Sequence, residues 1–502
     1  MAAELVARLR SGSAGAQEKA ALALGHLAAG NAANHVAIAR AGAIEPLVAL
    51  LRGGSAGAQR QAAATLTTLA EADTRETIAL AGAIEPLVAL VRSGSAGAQE
   101  TSALTLGRLA TDSANNQAAI ARAGAIEPLL ALVRSGSAGA QERAADALGR
   151  LAAGNAANEA AIARAGATEP LVALLRGGSA GAQEAAAIAL GNLAESADNR
   201  ASMAQAGAIE PLIALVRGGS AGAQEAAAVA LGNLATNNVA NKVAIARAGA
   251  IEPLVALVRS GSAGAQEQTA AALGSLAFEN ADNQAAIAHA GAIEPLVALV
   301  RGGSAGAQEA AATALSNLAG DADNRETIAQ AGAIEPLVTM MRLGDRYARR
   351  AAIFGLYHLA SNADTLAAFA QVDNLEPLIA CTRGNPAGAV EQETSLKASR
   401  FLSALAANSV EIKRAINRAG GVGPQRRRIG GPAGVQERVA DALHNLGSNI
   451  LLTVVAGALL AYVVYSRRAA QPRAKQVRRP EDRRRRRQAG AAAEATQDEA
   501  QV

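Results

Sequence analysis

Residues 249–267 read GAIEPLVALVRSGSAGAQE, and close copies of that stretch open at Gly42, Gly82, Gly124, Gly166, Gly207, Gly291 and Gly332. With Gly249 included, successive openings lie 40, 42, 42, 41, 42, 42 and 41 residues apart. A period near 42, with apolar runs punctuated by Gly and Pro, marks an array of stacked helical repeats, an α-solenoid. Each unit leaves an apolar face uncovered until a neighbour stacks on it, so the fold grows by addition and presents a continuous surface. The expected default role of such a surface is to hold other proteins.

Within one period the residues predict three helices. In residues 34–70, Asn34 is placed to cap a short first helix ending near Ala41, and Gly42 permits a sharp corner. Pro46 falls in the first turn of the second helix, where a missing N–H is harmless. Ile44, Leu47, Val48 and Leu51 then form one apolar stripe at helical spacing. The run Gly53–Gly57 reads as the next turn, and a third helix follows from about Ala58 to Ala70 with Ala62, Thr65, Leu66 and Leu69 inward. Eleven third helices are expected, near Gln17, Gln59, Gln99, Gln141, Gln183, Gln224, Gln266, Gln308, Tyr347, Gln392 and Gln436. The last three repeats drift, with Asp373–Pro377 and Gly420–Pro424 replacing the usual corner. Leu5–Leu9 matches a second helix with no first helix before it, so the chain is expected to open inside a repeat.

A short, a long and a long helix, with a corner after the first, resembles the armadillo repeat over residues 1–448. The resemblance implies an all-α, right-handed superhelical α-solenoid whose third helices line a concave groove. In armadillo proteins that carry nuclear import signals, each third helix presents Trp and Asn four residues apart. The indoles bracket lysines and the amides hold the ligand backbone. Mapped here, the Asn position holds Asn192, Asn233, Asn317 and Asn445, with His26, Thr68, Arg108, Arg150, Ser275 and His358 in other repeats. The Trp position holds Leu22, Ala64, Leu104, Asp146, Ile188, Val229, Ala271, Thr313 and Phe354, and the chain contains no Trp at all. Import-receptor function is therefore disfavoured. Arg108, Arg150, Asn192, Asn233, Ser275 and Asn317 remain as a polar ladder for the backbone of an extended peptide; equally, they could bond neighbouring repeats. Arg108 and Arg150 would make the N-terminal part of the groove more basic than the middle.

Glu18, Glu100, Glu142, Glu184, Glu225, Glu267 and Glu309 recur in the first turn of third helices, where the helix dipole alone accounts for them. The functional alternative is an acidic rail for a basic peptide. Arg52, Arg92, Arg134, Arg176, Arg217, Arg259 and Arg301 end second helices and suit the opposite pole and a solvated edge. No catalytic, cofactor or metal site is expected. The five His are scattered, Cys381 is alone, and the Gly-rich turns lack the Lys-Ser/Thr of a phosphate loop.

The formal charge of +4 hides an asymmetry. Residues 1–425 carry 32 Lys and Arg against 36 Asp and Glu, while 426–502 carry 15 against 7. The array thus offers no basic stripe for nucleic acid, and no small-molecule substrate is implied. Ser448 to Ser466 is free of charge, and its large apolar and aromatic residues are Ile450, Leu451, Leu452, Val454, Val455, Leu459, Leu460, Tyr462, Val463, Val464 and Tyr465. At about 1.5 Å per residue this stretch covers roughly 28 Å, close to the ~30 Å of a bilayer core. Arg467 and Arg468 follow at once. Residues 449–466 are expected to be a transmembrane helix, or failing that the last helix of the solenoid. Residues 467–502, with Arg483–Arg487, are expected to be a basic disordered tail.

No secretory signal opens the sequence, and Ala2 stands where myristoylation needs Gly. The expectation is a tail-anchored scaffold whose array faces the cytosol, at the mitochondrial outer membrane or a vacuolar-type membrane, with a cytoplasmic protein as the alternative. It looks closest in kind to vacuolar membrane armadillo scaffolds, with a protein anchor in place of an N-terminal lipid. An adaptor in ubiquitin transfer is the rival reading, since plant-type armadillo arrays often accompany a U-box, which this sequence lacks.

Overall fold

A computed structural model describes residues 1–418, apart from 361, 371 and 384–388, and all of these fall in one unit, Met1–Gly423. The described residues are helical throughout, joined by turns of a few residues. After an opening pair, Ala2–Ser11 and Ala14–Ala28, the short-long-long pattern runs nine times and a further helix, Val410–Arg418, begins the next unit. One full repeat is Val239–Arg247, Ile251–Ser260 and Ala263–Ala277. Third helices stack on third helices along the whole series, and second helices stack beside them. The eleventh third helix and segments 449–466 and 467–502 lie outside the described residues.

The expected corner is present. Gly42, Gly82, Gly124, Gly166, Gly207, Gly249, Gly291 and Gly332 all have φ between +73° and +77°, a region that L side chains avoid. Gly42 N–H bonds Ala39 O and Ala43 N–H bonds Ile38 O, closing the first helix as a Schellman motif. The helices Ala281–His289 and Ile293–Gly302 meet there at 82°. The second-helix stripe is buried as expected: Ile44, Leu47, Val48 and Leu51 are at most 4% exposed.

Two local expectations shift. The first-helix cap is Asn31, whose side chain accepts from Asn34 N–H at 3.3 Å, so Asn34 sits inside the helix Ala32–Arg40. Its amide is used elsewhere, donating to Leu27 O at the end of the preceding third helix. The third helix starts at Ala56 instead of Ala58 because Ser55 Oγ accepts from Ala58 N–H, which draws Ala56 and Gly57 into the first turn. The same serine cap recurs at Ser95, Ser137, Ser179, Ser220, Ser262 and Ser304.

The repeated polar residues turn out to be joints. Gln59 Nε2 reaches back to Leu51 O, clamping third helix to second, and Gln99, Gln141, Gln183, Gln224 and Gln266 do the same. Arg52, Arg176, Arg217 and Arg259 each donate to the carbonyl of the next repeat's corner glycine at 2.8–3.1 Å, so these arginines bridge repeats beyond merely suiting a helix end. Third helices approach so closely that a Cβ on Gly107, Gly149, Gly232 or Gly274 would stand 3.1–3.3 Å from the Cα of an Ala on the next third helix. That contact explains an interior built of Ala and Gly with scarcely any aromatic residue. Where the corner glycine is missing, the second helix runs Val372–Arg383 with Pro377 inside it, and Asn374 Nδ2 bonds Ala368 O at 2.7 Å.

Candidate interaction groove

The ladder residues share the face made by successive third helices, all half-buried. Asn192 Nδ2 donates to Gly149 O at 2.9 Å, Asn233 to Gly191 O at 3.0 Å and Asn317 to Gly274 O at 3.0 Å. Each amide thus spends one N–H on the preceding repeat. Among the described residues the Ser275 hydroxyl has no side-chain hydrogen bond of this kind. Arg150 Nε bonds both carboxylate oxygens of Asp146, and its Nη1 reaches Thr111 Oγ1 at 2.8 Å. Arg108 Nη1 donates to Thr67 O and lies 3.8 Å from Glu71. Both arginines are therefore matched by a carboxylate, which offsets the basic character expected of this stretch.

The glutamate row has a second role in the geometry. The carboxylates of Glu18, Glu100, Glu142, Glu184, Glu225 and Glu267 occupy the space where a Cβ would project from Gly57, Gly139, Gly181, Gly222, Gly264 and Gly306 of the next repeat. Ser220 and Ser304, the caps of those next helices, donate to Glu184 and Glu267 at 2.8 and 3.1 Å. Each acid thus sits at the amino end of its neighbour's third helix as well as its own. A rail given over to packing has less to offer a ligand.

Between the third helices Ala263–Ala277 and Ala305–Leu318 the face opens into a cavity of about 460 Å³. Its lining includes Ala271 and Thr313, which hold two of the positions where import receptors place Trp. Small side chains there leave room that an indole would fill. Ser275, Asn317, Glu267 and Glu309 are among its polar groups, and Phe278, 42% exposed, forms its aromatic edge. Glu309 is held above the usual carboxylate range, first by burial and then by the charges of Asp345 and Glu267, with Arg350 opposing.

Farther along, the face changes character in a way the sequence reading did not anticipate. Lys397, on the next third helix Ala389–Asn408, comes against the ring of Phe354. Its Nζ lies 5.1 Å from the Phe354 ring centre and 4.9 Å from that of Tyr357. Arg350 Cζ also lies over the Phe354 ring, 5.2 Å from its centre, and Arg350 pairs with Glu393 at 3.2 Å. Arg346 pairs with Glu391 at 3.4 Å. Lys397 is pushed below the usual lysine range, chiefly by burial and then by Arg400, with Glu393 opposing. The signal was present as Arg346, Arg349 and Arg350 around the usual Gln-Glu register, but the drift of the repeat hid it.

The armadillo/beta-catenin-like repeat model matches six segments: 31–71, 113–153, 155–195, 196–236, 238–278 and 280–320. A crystal structure of an engineered protein from the Northeast Structural Genomics Consortium is 31% identical, with a TM-score of 0.69. The match covers 81% of this chain and 98% of that one. Two further engineered proteins of the consortium are 32% and 33% identical, each with a TM-score of 0.45. They cover 46% and 47% of this chain and 98% and 96% of their own. No curated protein matches the chain. With six matched repeats, the serial packing of third helices and the glycine corner in hand, the chain belongs to the armadillo-repeat family.

Proposed function

We propose that this protein is a non-enzymatic interaction scaffold that holds extended segments of partner proteins along the third-helix face of a right-handed superhelix. The cavity between Ala263–Ala277 and Ala305–Leu318 carries the reading. It is open, floored by small residues, and edged by amides, hydroxyls and an aromatic ring, which together suit a peptide main chain with one side chain inserted. A photo-crosslinker at Ala271, on this face, is expected to capture partner proteins in cells. The same group at Ala256, exposed on a second helix, is expected to capture none of them. Equal capture from both positions, or none from Ala271, defeats the groove reading.

The scaffold is further proposed to be tethered by residues 449–466, with the array in the cytosol. The support is sequence alone: nineteen uncharged residues from Ser448 to Ser466, with Tyr462 and Tyr465 at one end and Arg467-Arg468 beyond. Among the described residues no single helix is long and apolar enough to cross a membrane. Full-length protein should stay in the membrane pellet after carbonate extraction, while residues 1–445 are recovered in the supernatant. Carbonate-soluble full-length protein removes the anchor and leaves the scaffold.

A further inference from the structure

The third helices Arg346–His358 and Ala389–Asn408 carry a cluster of rings and cations that no other pair of third helices among the described residues shows. In the other clamped repeats the residue after the clamping Gln is Glu, except Arg60 after Gln59; here Arg349 takes the clamp, donating to Met341 O, and Arg350 stands in the acid's place. The local ledger of charge favours the cations. Arg346, Arg349, Arg350, Lys397 and Arg400 face Asp345, Glu309, Glu391 and Glu393. Asp345 is occupied as a helix cap for Tyr347 and Ala348 N–H, and Glu391 and Glu393 are taken by Arg346 and Arg350.

Lys397 is left with ring faces for company, and among the described residues no carboxylate lies within 4.0 Å of its ammonium. A half-buried cation held by aromatic faces still has three N–H donors to satisfy, and the rings satisfy none of them as a carboxylate would. Arg350 Nε is likewise buried without a hydrogen-bond partner. Tyr347 and Leu396, 40% and 38% exposed, add apolar surface beside the cations.

We propose that this end of the groove docks an acidic, extended segment of a partner protein, whose Asp or Glu carboxylates bond Lys397 and Arg350 while its neighbouring side chains lie on Phe354, Tyr357 and Leu396. The proposal rests on the groove reading and adds the chemistry of the ligand. The clustered rings give the site its direction: they hold the two cations in place before the partner arrives, so little side-chain freedom is lost on binding.

The test is selection of 15-residue peptides from a random displayed library against the full-length chain, followed by affinity measurement on the winners. Peptides rich in Asp and Glu are expected. Affinity should fall about 30-fold or more in Lys397→Ala, the order expected when one partner of a buried charge pair is truncated. It should fall about tenfold in Phe354→Ala, which removes an aromatic anchor. Lys397→Arg should retain binding, which separates charge from folding damage. The ε-carbon resonance of Lys397 should titrate at higher pH once the peptide is bound, because a carboxylate favours the charged form. Acidic peptides drawn to Arg483–Arg487 would be indifferent to Lys397, and a selection yielding only such peptides overturns the site. So does a selection yielding no acidic peptide, or phosphatidylserine vesicles that bind with the Lys397 dependence expected of the peptide. Neutral or basic winners that compete with crosslinking from Ala271 would uphold the scaffold while removing this ligand.

Discussion

Asn241→Leu is expected to lower the stability of the array by roughly 3 kcal/mol, read as a lower urea midpoint with helix content followed by circular dichroism. Asn241 is 4% exposed, and its Nδ2 donates to Leu234 O and to Arg200 O, both at 3.0 Å. Leu234 lies in the last turn of Ala221–Ala235, where a carbonyl has no partner along its own helix. Removing the amide orphans that carbonyl in the interior and also unties Arg200 of the previous repeat. The leucine that replaces it is similar in size, so little cavity energy confuses the comparison. Asn192→Ala is the contrast: it loses one bond to Gly149 O, which still accepts from Ala153 N–H, and the site is half-exposed. Its cost should stay below about 1 kcal/mol. If both changes cost the same, the buried amides are not what holds the short first helices to the third helices before them.

That contrast also separates what the residues reveal when read in order from what they reveal only in space. Period, corner glycine, Pro46 and the Ile44-Leu47-Val48-Leu51 stripe are local signals, so the three-helix repeat could be read directly from them. The joints could not. Arg52 looks like a helix-end charge until the corner of Gly82 is brought to 3.0 Å, and Asn241 looks like a cap until Arg200 and Leu234 converge on it. Both depend on contacts about 30 to 40 residues apart. The groove was partly legible: Asn192, Asn233, Ser275 and Asn317 do share a face, but the amide N–H that each Asn directs at a neighbour's carbonyl was open between two readings. Lys397 was missed because the ninth and tenth repeats depart from the pattern that fixed the register, and a cation over two rings is visible only once those helices are stacked.

Close stacking makes the second large effect, Gly232→Leu, a test of how the array holds together. A Cβ on Gly232 would stand 3.1 Å from Ala272 Cα and 3.3 Å from Ala272 Cβ, so even one added carbon needs the neighbour to yield. Leucine adds three more, directed at a backbone that cannot rotate aside, and the helices Ala221–Ala235 and Ala263–Ala277 must part. Overpacking of this kind costs about 3 kcal/mol. In an array where each repeat is held only by its neighbours, that loss falls on a single interface, and the two flanks should then unfold separately. The expected result is one urea transition in the wild type and two in the variant, with new proteolytic cleavage in the turn between Ala235 and Val239. Gly218→Ser is the matched control: nothing lies within 4 Å of its added Cβ, and Ser93 and Ser260 already hold that position in other repeats. It should leave the midpoint within about 0.5 kcal/mol of the wild type, as surface changes usually do. A single transition with an unmoved midpoint in Gly232→Leu would mean that the third helices can separate freely, and that the stacked face on which the groove depends is not a fixed surface.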